Sequence, residues 1–124
     1  MNNTPIPEEI TLHKESKLLE IKFDNEMKCM LSYEFLRVYS PSAEVQGHNP
    51  TQAVLQTGKE NVSINKLTPI GRYAIKIHFS DGHDTGLYTW SYLYNLAKNY
   101  EQLWLEYIGK LDIAGIKRNP IERK

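Results

Sequence analysis

An α+β domain, with an antiparallel twisted sheet of five or six strands and C-terminal helices packed against it, is predicted by two hydrophobic periods that follow one another along the chain. Up to Tyr88 apolar residues alternate singly with polar ones, the pattern of half-buried strands. After Thr89 they recur every three or four residues, the pattern of amphipathic helices. The length, 124 residues, fits one domain with a core of its own.

The elements follow in order. Ile10 and Leu12 start a first strand, and Lys14-Glu15-Ser16-Lys17 turns it. Leu19, Ile21 and Phe23 form the inner face of a second strand, Asp24-Asn25 turns again, and Met27, Cys29 and Leu31 face inward from a third. At Ser32 the period changes: Ser32 caps a short helix with Phe35 and Leu36 inside. Residues 40–60 are irregular, punctuated by Pro41, Gly47 and Pro50, with a brief helical turn from Asn49-Pro50 through Ala53 and Leu55. Strand order returns at Val62 and Ile64. Tyr73, Ile75, Ile77 and Phe79 give the clearest apolar strand face, Asp81-Gly82 a hairpin turn, and Gly86-Leu87-Tyr88 the return strand. Thr89 caps a helical stripe running from Trp90 to Leu111. It divides near residues 98–100, where Asn99 and Gln102 resemble a capping pair, and Gly115 ends it. The expected organisation is a flexible leader over residues 1–9, one domain over 10–114 and a loose basic tail over 115–124.

Composition excludes several classes. Fifteen Lys and Arg balance fifteen Asp and Glu, so the charge that drives phosphate binding is missing and no nucleic-acid partner is expected. No apolar run approaches a bilayer span, and residues 1–9 lack the basic and apolar blocks of a secretory leader, so the expectation is a cytoplasmic protein without membrane contact. A single cysteine, Cys29, forms neither a disulfide framework nor a cysteine-rich zinc site. The nucleophile elbow, the Walker loop, the dinucleotide glycine fingerprint and the HExxH pair are absent.

The densest run of chemistry-bearing residues is Asp81-Gly82-His83-Asp84-Thr85-Gly86. His83 with Asp81 or Asp84 has the donors of a mixed metal site, and His48 is the one histidine placed to join them; the competing reading is a turn with its capping residues. His78 and His13 read as solvated, Trp90, Trp104 and Tyr107 as packing residues, and the tail cations as solvated charge.

Three stretches carry a family resemblance: Leu36-Arg37-Val38-Tyr39-Ser40-Pro41-Ser42-Ala43-Glu44, then Pro69-Ile70-Gly71-Arg72-Tyr73-Ala74-Ile75, then Phe79-Ser80-Asp81-Gly82-His83-Asp84-Thr85-Gly86-Leu87-Tyr88-Thr89-Trp90. In order and spacing they resemble the N-terminal domain of gamma-butyrobetaine hydroxylase, a family that includes small stand-alone bacterial proteins of unknown function. In the hydroxylases this domain precedes a separate oxygenase domain that carries the iron, so the resemblance implies an accessory module and not a hydroxylase. Family members commonly hold zinc on a Cys-Pro-Cys-x-x-Cys stretch and the histidine of Asp-Gly-His. Mapped onto this chain those positions are Ser40, Ser42, Val45 and His83. The three cysteines are gone, which implies a degenerate site with no cofactor, closed by hydrogen bonds from Ser40 and Ser42 and from His83 to Glu44 or a loop carbonyl.

The reading is a non-catalytic accessory or protein-interaction module whose functional surface takes in Arg37, Glu44, His48, Asp81, His83 and Asp84. The alternative is a module holding zinc or iron weakly, or a small enzyme, built on His48, Asp81, His83 and Asp84. The sequence leaves open which protein is the partner and what the oligomeric state is.

Overall fold

The computed structural model describes residues 4–47 and 54–119. Strands β1 (Pro7–His13), β2 (Leu18–Phe23) and β3 (Lys28–Ser32) form an antiparallel meander, followed by α1 (Tyr33–Val38) and α2 (Ala43–Gln46). A second meander follows, β4 (Ile64–Ile70), β5 (Ala74–Phe79) and β6 (Leu87–Thr89), and then α3 (Trp90–Lys98) and α4 (Tyr100–Ile113).

The α+β class with antiparallel strands and C-terminal helices stands, but the single sheet of five or six strands is corrected. There are two three-stranded sheets, ordered β1-β2-β3 and β4-β5-β6. Alternation reports which residues of a strand face inward and is silent about which strands are neighbours. Here the two sheets meet through side chains: Leu19, Ile21, Phe23 and Leu31 of the first share one core with Ile64, Ile75, Ile77, Phe79 and Tyr88 of the second. Phe35 and Leu36 of α1 and Leu93 and Leu96 of α3 complete it. Register follows the inner faces, with Leu12 and Leu31 opposite Leu19 and Ile10 and Cys29 opposite Ile21.

Several boundaries move for identifiable reasons. β1 starts at Pro7, inside the expected leader, because an edge strand with Pro at its first position and outward-facing Glu8 and Glu9 shows no apolar period. In the β2–β3 turn Asn25 Oδ1 accepts the Met27 N–H at 3.1 Å, while the left-handed residue is Glu26, at φ 70°. Tyr73 is 60% exposed: it falls in the turn between β4 and β5, beside Gly71 at φ 56°, and not on the inner face of β5. The expected helical turn from Asn49-Pro50 begins outside the described residues, and His48 lies outside them too.

The caps explain the helices. Ser32 Oγ accepts the Phe35 N–H at 3.0 Å, and Thr89 Oγ1 accepts the Tyr92 N–H at 3.1 Å, as the sequence predicts. Ser42 starts α2, inside the stretch over 40–60 expected to be irregular. Asn99 separates α3 from α4 without capping; its amide donates back to the Asn95 carbonyl at 3.0 Å, and Gln102 turns toward Glu106. α4 ends in a Schellman closure, with Gly115 N–H on the Asp112 carbonyl and Ile116 N–H on the Leu111 carbonyl, and Gly115 at φ 71°.

Tyrosine hydroxyls then fasten these pieces. Tyr88 donates to the Leu36 carbonyl at 2.7 Å, Tyr39 to Leu103 at 2.7 Å, Tyr107 to Gln56 at 2.7 Å, and Tyr92 to Tyr39. Each joins an element to a main-chain carbonyl distant in sequence, where a buried acceptor otherwise costs free energy.

Candidate functional site

Two loops meet at the candidate site, and each exists for a local reason. α1 stops at Val38, and Ser40-Pro41-Ser42 leads into α2, where Ser42 Oγ accepts the Glu44 N–H at 3.2 Å. On the other side β6 pairs only with the start of β5, Thr89 opposite Ala74 and Leu87 opposite Lys76. The expected tight hairpin is therefore a longer excursion over residues 80–86. Its tip keeps the Asp-Gly turn: Gly82 sits at φ 88°, Asp81 Oδ1 accepts the His83 N–H at 3.1 Å, and the His83 carbonyl accepts the Phe79 N–H at 3.0 Å.

This geometry turns the His83 ring inward, where only 4% of its side chain remains exposed. Nε2 lies 2.8 Å from Ser40 Oγ, and Nδ1 lies 3.3 Å from Glu44 Oε2. Ser40 is fully buried, and its Oγ also accepts the Ser42 N–H at 3.2 Å. A carboxylate only accepts, so the ring proton sits on Nδ1 facing Glu44, and Nε2 accepts from the Ser40 hydroxyl. Burial, aided by the Arg37 guanidinium, lowers the His83 pKa against the opposing pull of Glu44 and Asp81, so the ring is neutral near pH 7. Ser42 Oγ and Thr85 Oγ1, 2.7 Å apart, add a second rung between the loops. Gly86 allows the approach: a Cβ there would stand 2.5 Å from Ser40 Oγ and 3.2 Å from Pro41 Cδ.

Beside this clamp lies an ion cluster. Arg37 donates from Nε to Asp81 Oδ2 at 2.9 Å and from Nη1 to Gln56 Oε1 at 2.9 Å, while Lys59 Nζ reaches the same Asp81 oxygen at 2.7 Å. Burial raises the Asp81 pKa, but hydrogen bonds from Lys59, the His83 N–H and Arg37 outweigh it and hold the carboxyl at about 2.

Of the sequence-predicted residues, Arg37 meets Asp81 and Glu44 meets His83. Asp84 turns away, its carboxylate 3.7 Å from His78 Nδ1, and His78 bonds through Nε2 to Thr68 Oγ1 at 2.8 Å and is not simply solvated. Asp81, His83 and Asp84 each face a different partner, so they do not converge on one point. Gly86 makes the close backbone approach that the sequence expects of it, and Thr85 lies in the same run without an assigned role. Gln56 and Lys59 were missed; no periodic or spacing signal marks them, because their roles arise only when loops far apart in sequence meet.

The order Ser40, His83, Glu44 resembles a hydrolytic relay, but a nucleophile must reach its substrate, and Ser40 is sealed. Nor do the residues fit zinc. Both hydroxyls are engaged with protein partners, Val45 offers no donor, and His83 is the sole strong ligand among the four positions. Cys29 sits on β3 opposite Ile21, and burial pushes its thiol up to about 11, away from the thiolate that binds metal. Among the described residues no group of three or more His, Cys, Asp and Glu side chains is placed to hold a metal ion.

The family described as gamma-butyrobetaine hydroxylase-like, N-terminal, matches residues 10–94. Two NMR solution structures are similar along nearly the whole length. One has 51% identity and a TM-score of 0.81, covering 98% of this chain and 95% of that one. The other has 49% identity and a TM-score of 0.83, covering 100% and 92%. A crystal structure of a protein of unknown function from Acidithiobacillus ferrooxidans, of the DUF971 family, has 39% identity and a TM-score of 0.61 over 76% of this chain and 92% of that one. A comparison with curated proteins finds no match.

Two outcomes are expected of the clamp. Gly86→Ala should cost about 1–3 kcal/mol in denaturant unfolding, because the new methyl overlaps Ser40 Oγ. Combined with Ser40→Ala the penalty should shrink, and strictly additive effects in that double-mutant cycle would contradict the close approach. For His83 the folded pKa lies below the ordinary 6.5, so its contribution is complete above that value and is lost as pH falls through the folded value. Stability should decline on acidification from neutral pH, and His83→Gln should flatten that part of the profile.

Proposed function

The chain belongs to the gamma-butyrobetaine hydroxylase-like N-terminal family, and from that premise we propose that it is a non-catalytic protein-interaction module of the cytoplasm, with hydrogen bonds standing where the family resemblance implies a zinc site. The metal-free part rests on the donor chemistry of Ser40, Ser42, Val45 and His83. The location is inferred from composition, together with the absence among the described residues of a helix long and apolar enough to cross a membrane.

The observation that carries the interaction reading lies on α4. Leu105 is 69% exposed and Ile113 is 89% exposed; they stand two helical repeats apart on one face, with Gly109 between them. A Cβ at Gly109 would meet nothing within 4 Å, and its φ is not left-handed. Neither crowding nor backbone geometry calls for glycine there, although it weakens a helix interior. A notch between two exposed apolar side chains is a shape that receives a protruding side chain from another surface.

Gly109→Ala separates fold from function. It should raise stability by about 0.5–1 kcal/mol in thermal or denaturant unfolding and should weaken capture of the partner that the unmodified protein retains from cytosol. Unchanged capture would remove α4 as the interface. For the metal, untagged protein should contain zinc and iron well below one equivalent and should melt at the same temperature with and without a chelator. One tightly held equivalent, lost together with the fold in His83→Ala, would overturn the metal-free reading.

A further inference from the structure

A second surface carries its own signature of recognition. Glu34, in the first turn of α1, is 6% exposed, and a carboxylate so deeply placed needs a charged partner. That partner arrives from the far end of the described chain. Arg118 Nε donates to Glu34 Oε2 at 2.8 Å and Nη2 to Oε1 at 2.5 Å, a two-pronged fork. The same guanidinium lies 5.0 Å from the centroid of the Trp104 ring on α4. The next residue is held by its main chain: the Asn119 N–H donates to Glu60 Oε2 at 2.6 Å, and its carbonyl accepts from Asn61 Nδ2 at 3.1 Å.

Residues 116–119 form no helix or strand. The tail is therefore gripped at the Arg118 side chain and at the main-chain N–H and carbonyl of Asn119, by groups that all belong to the body of the fold. Arg118 and Asn119 thus carry contacts within the stretch expected to be a basic tail. The Glu34 contact raises the Arg118 pKa, and the Asn119 N–H is the main cause lowering that of Glu60, so both charges are favoured by the contacts they make.

A fork for a guanidinium, an aromatic face beneath it and a pair of main-chain contacts are the elements by which proteins read an extended arginine-bearing peptide. We propose that Glu34, Trp104, Glu60 and Asn61 form a docking site for such a segment of a partner protein, which the chain's own Arg118-Asn119 occupies in cis. The proposal rests on the interaction-module reading and gives it a partner chemistry. Arginine is selected over lysine because only a planar fork satisfies both carboxylate oxygens while lying on the indole. The tail acts as a tethered competitor, so a partner must displace it or meet the chain when it is released.

The test uses the full chain carrying Arg118→Ala and a free peptide with the sequence of residues 115–119, followed by NMR chemical shifts. The peptide should bind this variant about tenfold or more tighter than the unmodified chain, whose groove is already filled. Shifts should centre on the Trp104 indole and the Asn61 side-chain amide. A peptide with alanine in place of its arginine should not bind, and adding Glu34→Gln should abolish binding. If Arg118→Ala does not fold, Arg118→Lys keeps a charge beside Glu34 without the fork and is titrated in the same way. A folded variant that takes up the arginine peptide no better than the alanine peptide overturns the docking site. That result leaves the α4 interaction surface standing, since Gly109→Ala tests it separately.

Discussion

The contact between Ser40 Oγ and His83 Nε2 joins positions 43 residues apart in sequence, and most of the candidate surface depends on it. It fixes the end of α1 against the β5–β6 excursion, which sets Arg37 beside Asp81 and Glu44 beside His83. A buried polar pair contributes modestly when made and costs more when one side is left unmatched. Here the unmatched group would be an imidazole nitrogen in a side chain 4% exposed. Gly86 is the steric condition of the contact and Ser42–Thr85 its reinforcement, and the burial of the ring, with Arg37 nearby, lowers the His83 pKa.

Closure by hydroxyls differs physically from closure by metal. A zinc ion ties its ligands through strong bonds that require deprotonated donors and adds its binding free energy to folding. The Ser40–His83–Glu44 chain has no such reserve, so surrounding groups must hold the loops in place. The tyrosine hydroxyls do part of this: Tyr88 anchors the Leu36 carbonyl four residues before Ser40, and Tyr92 anchors the carbonyl of Tyr39 itself. Gln46 adds a bond from its side-chain amide to the Ser40 carbonyl at 3.1 Å. Tyr107, which reads from sequence as a packing residue, likewise acts in part as a tether.

What the sequence revealed tracks the range of the forces involved. Ser32 and Thr89 announced their helices because a cap acts within three residues, and Ile75, Ile77 and Phe79 announced β5 because a pleat repeats every second residue. The Asp81-Gly82 turn was legible for the same reason. The division into two sheets was not, since Leu31 and Ile64 carry no mark of which face each will meet. Of the candidate site, Asp81 and His83 were legible in the dense run Asp81–Gly86, while Ser40, Ser42 and Val45 were placed only through the family resemblance. Lys59 and Gln56 acquire meaning only from loops that fold together. Trp104 and Arg118 lie beyond the matched residues 10–94, and their stacking is a contact between a helix and a tail that no local pattern encodes.

The split into two meanders bears on how the chain reaches this structure. Each ladder pairs strands adjacent in sequence, β1 with β2, β2 with β3, β4 with β5 and β5 with β6, so all strand pairing is local and closes short loops. Among the described residues no strand waits for a distant one to complete its hydrogen bonds, which favours low contact order in the sheets. The remaining entropic barrier falls on docking one meander against the other across residues 33–63, the same stretch that carries Arg37, Ser40 and Glu44. Docking the two meanders therefore both closes the shared hydrophobic core and brings Ser40 and Arg37 to His83 and Asp81.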